Sequence, residues 1–94
     1  MSILALNFTN RETYIAWRAN WRTAYRELST EIREGKHAIR QAFRENNYDK
    51  AATLQRELLA NRTLANRMME LRKEAKEMAA EQYLKSKQLQ AEAA

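Results

Sequence analysis

One helical pattern runs through almost the whole of this chain and is interrupted only at Asn46-Asn47-Tyr48-Asp49. The 94 residues include no Pro and a single Gly, so the sequence offers almost nothing else that breaks a helix. We therefore predict one helix over residues 10–45, a turn at 46–49 and a second helix over residues 50–89. Helices joined by so short a turn pack as antiparallel neighbours. The predicted fold is all-α, one domain formed by a long antiparallel two-helix hairpin of the coiled-coil type.

Apolar residues recur along both predicted helices in alternating steps of three and four, which is the spacing of a heptad seam. The first seam comprises Trp21, Tyr25, Leu28, Ile32, Gly35, Ile39 and Ala42, and the second comprises Leu54, Leu58, Asn61, Ala65, Met68, Leu71, Ala75, Met78 and Gln82. Folding at residues 47–48 sets Trp21 near residues 71–75 and Gly35 near residues 60–61. A mid-helix Gly costs about 1 kcal/mol relative to Ala, so we expect a close approach of the two backbones or a local bend at Gly35.

The ends of the helices carry recognisable capping signals. Thr9 and Glu12 fit a capping box, and Phe8 just before it is placed to pack on Thr13 as a hydrophobic staple. Asn in the turn tolerates the left-handed conformation that ends helices, and Asp49 is the predicted N-cap of the second helix. We expect residues 1–9 to form an apolar arm and residues 90–94 to fray.

Charged residues of the first helix separate by sign when placed at about 100° per residue. The basic stripe covers about 80° of arc, and it consists of Arg11, Arg18, Arg22, Arg26, Arg33, Lys36, Arg40 and Arg44. An acidic stripe on a separate arc consists of Glu12, Glu27, Glu31, Glu34 and Glu45. Three interpretations are open: a flank that is either solvated or salt-bridged across the seam, a surface for an acidic protein, or a surface for nucleic-acid phosphates.

An aromatic cluster occupies the beginning of the first helix, at Tyr14, Trp17, Trp21 and Tyr25. Trp, Tyr and Arg dominate the energetics of protein interfaces. We expect Trp21 in the core, whereas Trp17 at the edge of the apolar stripe either closes the end of the hairpin or meets a second chain. The candidate partner-binding residues, for protein or nucleic acid, are Tyr14, Trp17, Arg18, Arg22, Arg26, Arg33, Arg40 and Arg44.

No catalytic constellation is recognisable in the sequence. Cys is absent, and the only His, His37, falls between the basic and acidic stripes and is expected at the surface. There is no Gly-rich phosphate loop, no nucleophile beside a base and no Glu-x-x-His pair. We predict no enzymatic activity, no cofactor, no metal and no small-molecule substrate. No apolar run approaches a membrane span, and no basic region typical of a signal peptide precedes the apolar start, so we expect a cytoplasmic or intravirion location.

The turn and the start of the second helix resemble UVR-type hairpins, which are small protein-docking modules of nucleotide-excision-repair and chaperone-associated proteins. The resemblance rests on residues 47–52 (Asn-Tyr-Asp-Lys-Ala-Ala), Leu54 and the pair Glu57-Leu58. Gln55-Arg56 departs from the basic-acidic pair usual in that family, and the Arg-rich first helix has no counterpart there. In architecture the chain is similar to Rop-like hairpins, which dimerise into four-helix bundles and bind RNA on one face.

Together these features predict a non-enzymatic protein–protein interaction or assembly module. The aromatic end of the first helix would anchor a partner protein or a second copy, and the basic stripe would supply electrostatic complementarity. Small size and the lack of catalytic parts suit a phage or mobile-element accessory protein or a virion component. The alternative is binding of RNA or DNA through the basic stripe, which predicts a steep dependence on salt.

Overall fold

The chain folds into a helical hairpin of two long helices, α1 (Arg11–Arg44) and α2 (Tyr48–Ala93). The computed structural model describes Phe8 and residues 11–93, and it contains no β-strand within them. Neither helix carries, in its described residues, an apolar stretch long enough to cross a bilayer. The predicted all-α hairpin is confirmed, while its pairing with a second copy stays a prediction.

The turn begins with a Schellman motif centred on Asn46. Its backbone is left-handed, with φ of 56°. The Asn46 N–H donates to the Phe43 carbonyl at 3.1 Å, and the Asn47 N–H donates to the Ala42 carbonyl at 2.8 Å. This pair of hydrogen bonds satisfies carbonyls that have no partner inside the helix. Asn fits here because it adopts the left-handed conformation more readily than other residues with a Cβ, as the sequence indicated.

The second helix begins two residues before its predicted start, because Asn47 and not Asp49 is the N-cap. The Asn47 side-chain Oδ1 accepts from the Lys50 N–H at 3.3 Å, and its carbonyl accepts from the Ala51 N–H at 3.0 Å. Asn and Asp are comparable N-caps, so composition alone did not distinguish them. Asp49 instead lies in the first turn of α2, where a carboxylate faces the positive end of the helix dipole.

The far end of α2 also differs from the prediction. The helix continues to Ala93, four residues beyond the predicted end at residue 89, and the expected fraying of residues 90–94 stays a prediction. Residues 90–93 are Gln, Ala, Glu and Ala, and all three residue types are good helix formers. The predicted arm over residues 1–9, apart from Phe8, lies outside the described residues, as does Thr9 of the predicted capping box.

The hairpin divides into two compact units, a terminal unit (Met1–Arg22 with Met69–Ala94) and a turn unit (Thr23–Met68). The buried apolar residues of the terminal unit are Phe8, Trp17, Trp21, Leu71 and Ala75, and those of the turn unit are Leu28, Ala42, Ala51 and Met68. Every other residue of the two predicted seams is half-buried. Both seams are therefore confirmed, and Ala51 extends the second one toward the turn.

Gly35 does not mark a close approach of the two backbones. A Cβ added at Gly35 would lie 3.8 Å from Cδ1 of Leu58, which is an ordinary van der Waals distance. The nearest side chain is thus Leu58 and not residues 60–61, and the backbone of Gly35 has no positive φ. The predicted close approach is wrong, because the opposing side chain leaves room for a methyl group.

Substitution of Gly35 by Ala should stabilise the hairpin. The methyl group meets no steric conflict, while the entropic cost of a mid-helix Gly is removed, so the free energy of unfolding should rise by about 1 kcal/mol. Urea unfolding followed by far-UV circular dichroism measures the change. Ala38→Gly, about one turn along the same helix at another half-buried position, is the matched control and should lose a similar amount. A less stable Gly35→Ala variant would contradict the described packing.

Substitution of Asn46 by Ala should destabilise the turn. Ala in the left-handed conformation costs about 1 kcal/mol, whereas Asn46→Gly should be at least as stable as the parent chain. Tyr48→Phe is a control, because it removes only the hydrogen bond from the Tyr48 hydroxyl to Oδ1 of Asn46 (3.2 Å). Equal losses in Asn46→Ala and Tyr48→Phe in urea unfolding would assign the effect to that bond and not to backbone conformation.

Candidate binding grooves

Phe8 joins the chain before α1 to the core of the terminal unit. Its ring packs edge-on against Tyr14 (centroids 5.3 Å apart, planes at 81°) and against Trp17 (5.9 Å, 72°). Edge-to-face geometry sets the positive edge of one ring against the negative face of the other. The ring contacts of Phe8 in the structure are thus with Tyr14 and Trp17, on the neighbouring turns, whereas the sequence predicted a staple on Thr13.

Both tryptophans are core residues of the terminal unit, each only 5% exposed. The guanidinium of Arg72 lies 5.2 Å from the ring centroid of Trp21, which confirms the predicted register of Trp21 opposite residues 71–75. Of the two alternatives for Trp17, the structure shows the inward one. Its indole packs against Phe8 in the core of the terminal unit and leaves little surface for a partner.

A groove whose described lining carries only positive charges runs along the terminal unit, and we call it the terminal groove. It is lined by Phe8, Arg11, Tyr14, Arg18, Lys76, Ala79, Ala80, Gln82, Tyr83 and Ser86. Three of these residues are cations and none is a carboxylate. Tyr14 is half-buried, and Tyr83 is 65% exposed with the ammonium of Lys87 5.9 Å from its ring centroid. The groove combines cationic walls with an apolar and aromatic surface.

Two further grooves lie in the turn unit, and they carry opposite charges. The basic groove is lined by Lys36, Ile39, Arg40, Gln55, Leu58, Leu59 and Arg62. The acidic groove is lined by Glu31, Glu34, Gly35, Ala38, Leu54, Glu57, Leu58 and Asn61. Leu58 lines both, so the two grooves flank the same stretch of the seam. Asn61 lies half-buried in the acidic groove, at the edge of the seam.

The structure distributes the predicted partner-binding residues among different places. Tyr14 and Arg18 come together in the terminal groove, beside Arg11, and Arg40 lies beside Lys36 in the basic groove. The other predicted arginines are exposed and line none of the three grooves: Arg22, Arg26, Arg33 and Arg44. The basic stripe of the sequence therefore contributes to two grooves, one in each unit. His37 is exposed, as predicted.

The cations of the basic stripe all lie on the exposed surface of α1. Within the part of the chain that the structure describes, none of the eight forms an ion pair with a carboxylate. Of the first interpretation, a solvated or salt-bridged flank, the structure therefore shows the solvated form. The stripe is a solvated surface whose charges remain available to a partner, protein or nucleic acid.

Sequence reasoning missed the contribution of α2 to these grooves. Lys76 and Tyr83 complete the terminal groove, and Arg62 completes the basic groove. These residues lie on the flank of α2, so the charge pattern of α1 alone does not reveal them. Antiparallel pairing at the predicted register brings these α2 residues beside the basic stripe.

Comparison of the chain with protein-family models, with curated proteins and with solved structures finds no match. The resemblance of residues 47–58 to UVR-type hairpins is therefore local, and it is not extended to the chain. The candidate sites rest on the geometry and charge of the grooves alone.

The burial of Trp17 predicts that its loss acts on stability. Trp17→Ala should lower the free energy of unfolding by about 3 kcal/mol, because it leaves a cavity under Phe8. Tyr83→Ala removes an exposed aromatic of the same unit and should change stability by less than about 0.5 kcal/mol. Denaturant titration of the two variants measures both effects. Equal stability of Trp17→Ala and the parent chain would show that the indole is not in the core.

Proposed function

We propose that this chain is a non-enzymatic binding module that docks an acidic segment of a partner protein in the terminal groove. The observation that carries the proposal is the lining of that groove: three cations and no carboxylate around an apolar and aromatic surface. A carboxylate entering the groove would meet only favourable charges. The same surface would repel basic segments, which gives selectivity as well as attraction.

The spacing of the cations supports an extended or helical segment as the ligand. Arg11 and Arg18 are separated by seven residues, or about 10 Å along the axis of α1. Lys76 supplies a third charge from α2. Each guanidinium offers a planar fork that binds a carboxylate through two parallel hydrogen bonds. Carboxylates about two helical turns apart would match the two arginines.

The remaining lining residues indicate what should accompany those carboxylates. Tyr14, Ala79 and Ala80 present a ring and methyl groups beside the buried ring of Phe8, and the exposed ring of Tyr83 stands next to them. Burial of an apolar or aromatic ligand side chain there would supply most of the affinity, because solvent-exposed ion pairs contribute little. The proposed ligand is therefore an acidic segment that carries at least one large apolar side chain.

Single-stranded nucleic acid is the second candidate, and the two tyrosines favour it. Tyr14 and Tyr83 lie in the same groove as Arg11, Arg18 and Lys76. Aromatic rings between cations are the usual means by which proteins stack unpaired bases while holding the phosphate backbone. This candidate requires the rings themselves to contribute, at about 1–3 kcal/mol per stacked base.

The setting of this function stays a prediction. The predicted location is the cytoplasm or the interior of a virion. There the chain would serve as an accessory or assembly protein of a phage or mobile element. Identification of the partner would test it.

Reversal of two groove charges tests the protein-docking proposal. Arg11→Glu with Arg18→Glu should weaken binding of a labelled peptide, rich in Glu and containing Phe, by at least about tenfold. The control, Lys50→Glu with Arg56→Glu, makes the same change in net charge, from +5 to +1 because each substitution subtracts two. It alters exposed residues outside the groove. Fluorescence anisotropy measures both, and equal losses in the two variants would reject a specific groove.

Tyr83→Ala separates the two candidates. If bases stack in the groove, this substitution should weaken binding of a labelled single-stranded oligonucleotide by about fivefold or more. The affinity of the parent chain for the oligonucleotide should then also fall steeply between about 50 and 200 mM salt. Under the protein-docking proposal the acidic peptide binds more tightly than the oligonucleotide. The opposite order of affinities, with a Tyr83-dependent oligonucleotide complex, would establish the second candidate in its place.

A further inference from the structure

The turn unit carries two grooves of opposite charge that are separate from the terminal groove. The basic groove presents Lys36, Arg40 and Arg62, and the acidic groove presents Glu31, Glu34 and Glu57. All six charged residues are exposed. Neither groove includes a residue of the opposite charge in its lining. The basic groove and the acidic groove of one molecule are therefore complementary in charge.

These charges are not satisfied inside the hairpin. Among the described residues, none of the six forms an ion pair. Carboxylates and cations at flanking positions of a two-helix seam commonly pair with each other across it. Here α1 places its acids on one side and its bases on the other, and Glu57 and Arg62 of α2 repeat the same division. Each of these six side chains can therefore form an ion pair with a second copy of the chain.

The apolar parts of the two grooves are also complementary. On the basic side Leu59 is 67% exposed, next to Ile39 and Leu58. On the acidic side the lining includes two small residues, Gly35 and Ala38. The absence of a Cβ at Gly35 is not required by packing inside the hairpin, since a methyl group fits there. An exposed Leu and a floor of small residues match one another as a knob matches a hole.

We propose that the occupant of the basic groove is the acidic groove of a second copy of this chain. Lys36, Arg40 and Arg62 of one copy face Glu31, Glu34 and Glu57 of the next, with Leu59 seated against the small residues. The contact joins two different surfaces, so it is heterologous and leaves one free groove at each end of the pair. The chain then assembles into an open-ended stack or a closed ring. Added salt weakens this assembly, because the pairs are at the surface.

Charge exchange between the grooves tests this assembly by sedimentation velocity on nuclease-treated protein. The first variant changes the basic groove to acidic by Lys36→Glu, Arg40→Glu and Arg62→Glu. The second variant changes the acidic groove to basic by Glu31→Lys, Glu34→Lys and Glu57→Lys. Each variant alone should associate at least about tenfold more weakly than the parent chain, because like charges then meet at the contact. An equimolar mixture of the two should associate again, since their faces are complementary.

A chain carrying all six changes is the decisive control. Its net charge equals that of the parent chain, because three changes subtract six charges and three add six. It should self-associate as the parent chain does, and failure of both this variant and the mixture would overturn the proposal. A parent chain that sediments as a single hairpin at every concentration, or whose association disappears on nuclease treatment, would overturn it as well.

Leu59→Ser provides a test that does not depend on charge. Leu59 is exposed within the hairpin, so its replacement should leave the helical circular dichroism unchanged while it weakens self-association by at least about tenfold. Unchanged association would show that Leu59 makes no contact between copies, and it would overturn the proposed interface. Arg11→Glu with Arg18→Glu should leave self-association unaltered, since those residues line another groove. Failure of peptide docking and failure of assembly are thus distinguished.

Discussion

The narrow apolar seam between α1 and α2 is the constraint on which the rest of the structure depends. A two-helix hairpin buries one stripe of each helix, while ordering of each backbone residue costs about 1–2 kcal/mol. Large aromatic side chains bury about 150–250 Å² each, which explains the concentration of Phe8, Trp17 and Trp21 in one unit. Close to the turn the seam is occupied by small residues instead, Ala42 and Ala51, which are each 1% exposed.

The seam was predictable from the sequence because its determinants are local and periodic. The spacing of apolar residues specified both faces, and the Asn pair specified the turn. The choice of Asn47 over Asp49 as N-cap was not predictable, since it follows from where the Schellman motif ends α1. The inward position of Trp17 was left open for a similar reason. It depends on Phe8, a residue before the helix whose contacts no helical period describes.

The grooves were harder to predict than the seam because each is formed by two helices. The basic stripe of α1 was visible in the sequence, but its partners on α2 become neighbours only in one register and on one side of the seam. Gly35 shows the same limit. Its cost to the helix suggested a close backbone approach, whereas the structure leaves room for a methyl group beside Leu58 and places Gly35 in the lining of the acidic groove. A groove residue and a packing residue are indistinguishable in a helical wheel.

Once the seam is formed, the sorting of charge on its flanks determines what the surface can recognise. An open groove between two helices excludes little water, so its ion pairs contribute modest affinity and mainly select among partners. Affinity must then come from apolar groups within the charged rims. The terminal groove has such groups in Tyr14 and Tyr83, and the basic groove has them in Ile39, Leu58 and Leu59. The terminal groove has cations and no carboxylate among its described lining residues, which favours an acidic ligand. The turn unit presents both signs, which is the arrangement that a chain needs in order to recognise itself.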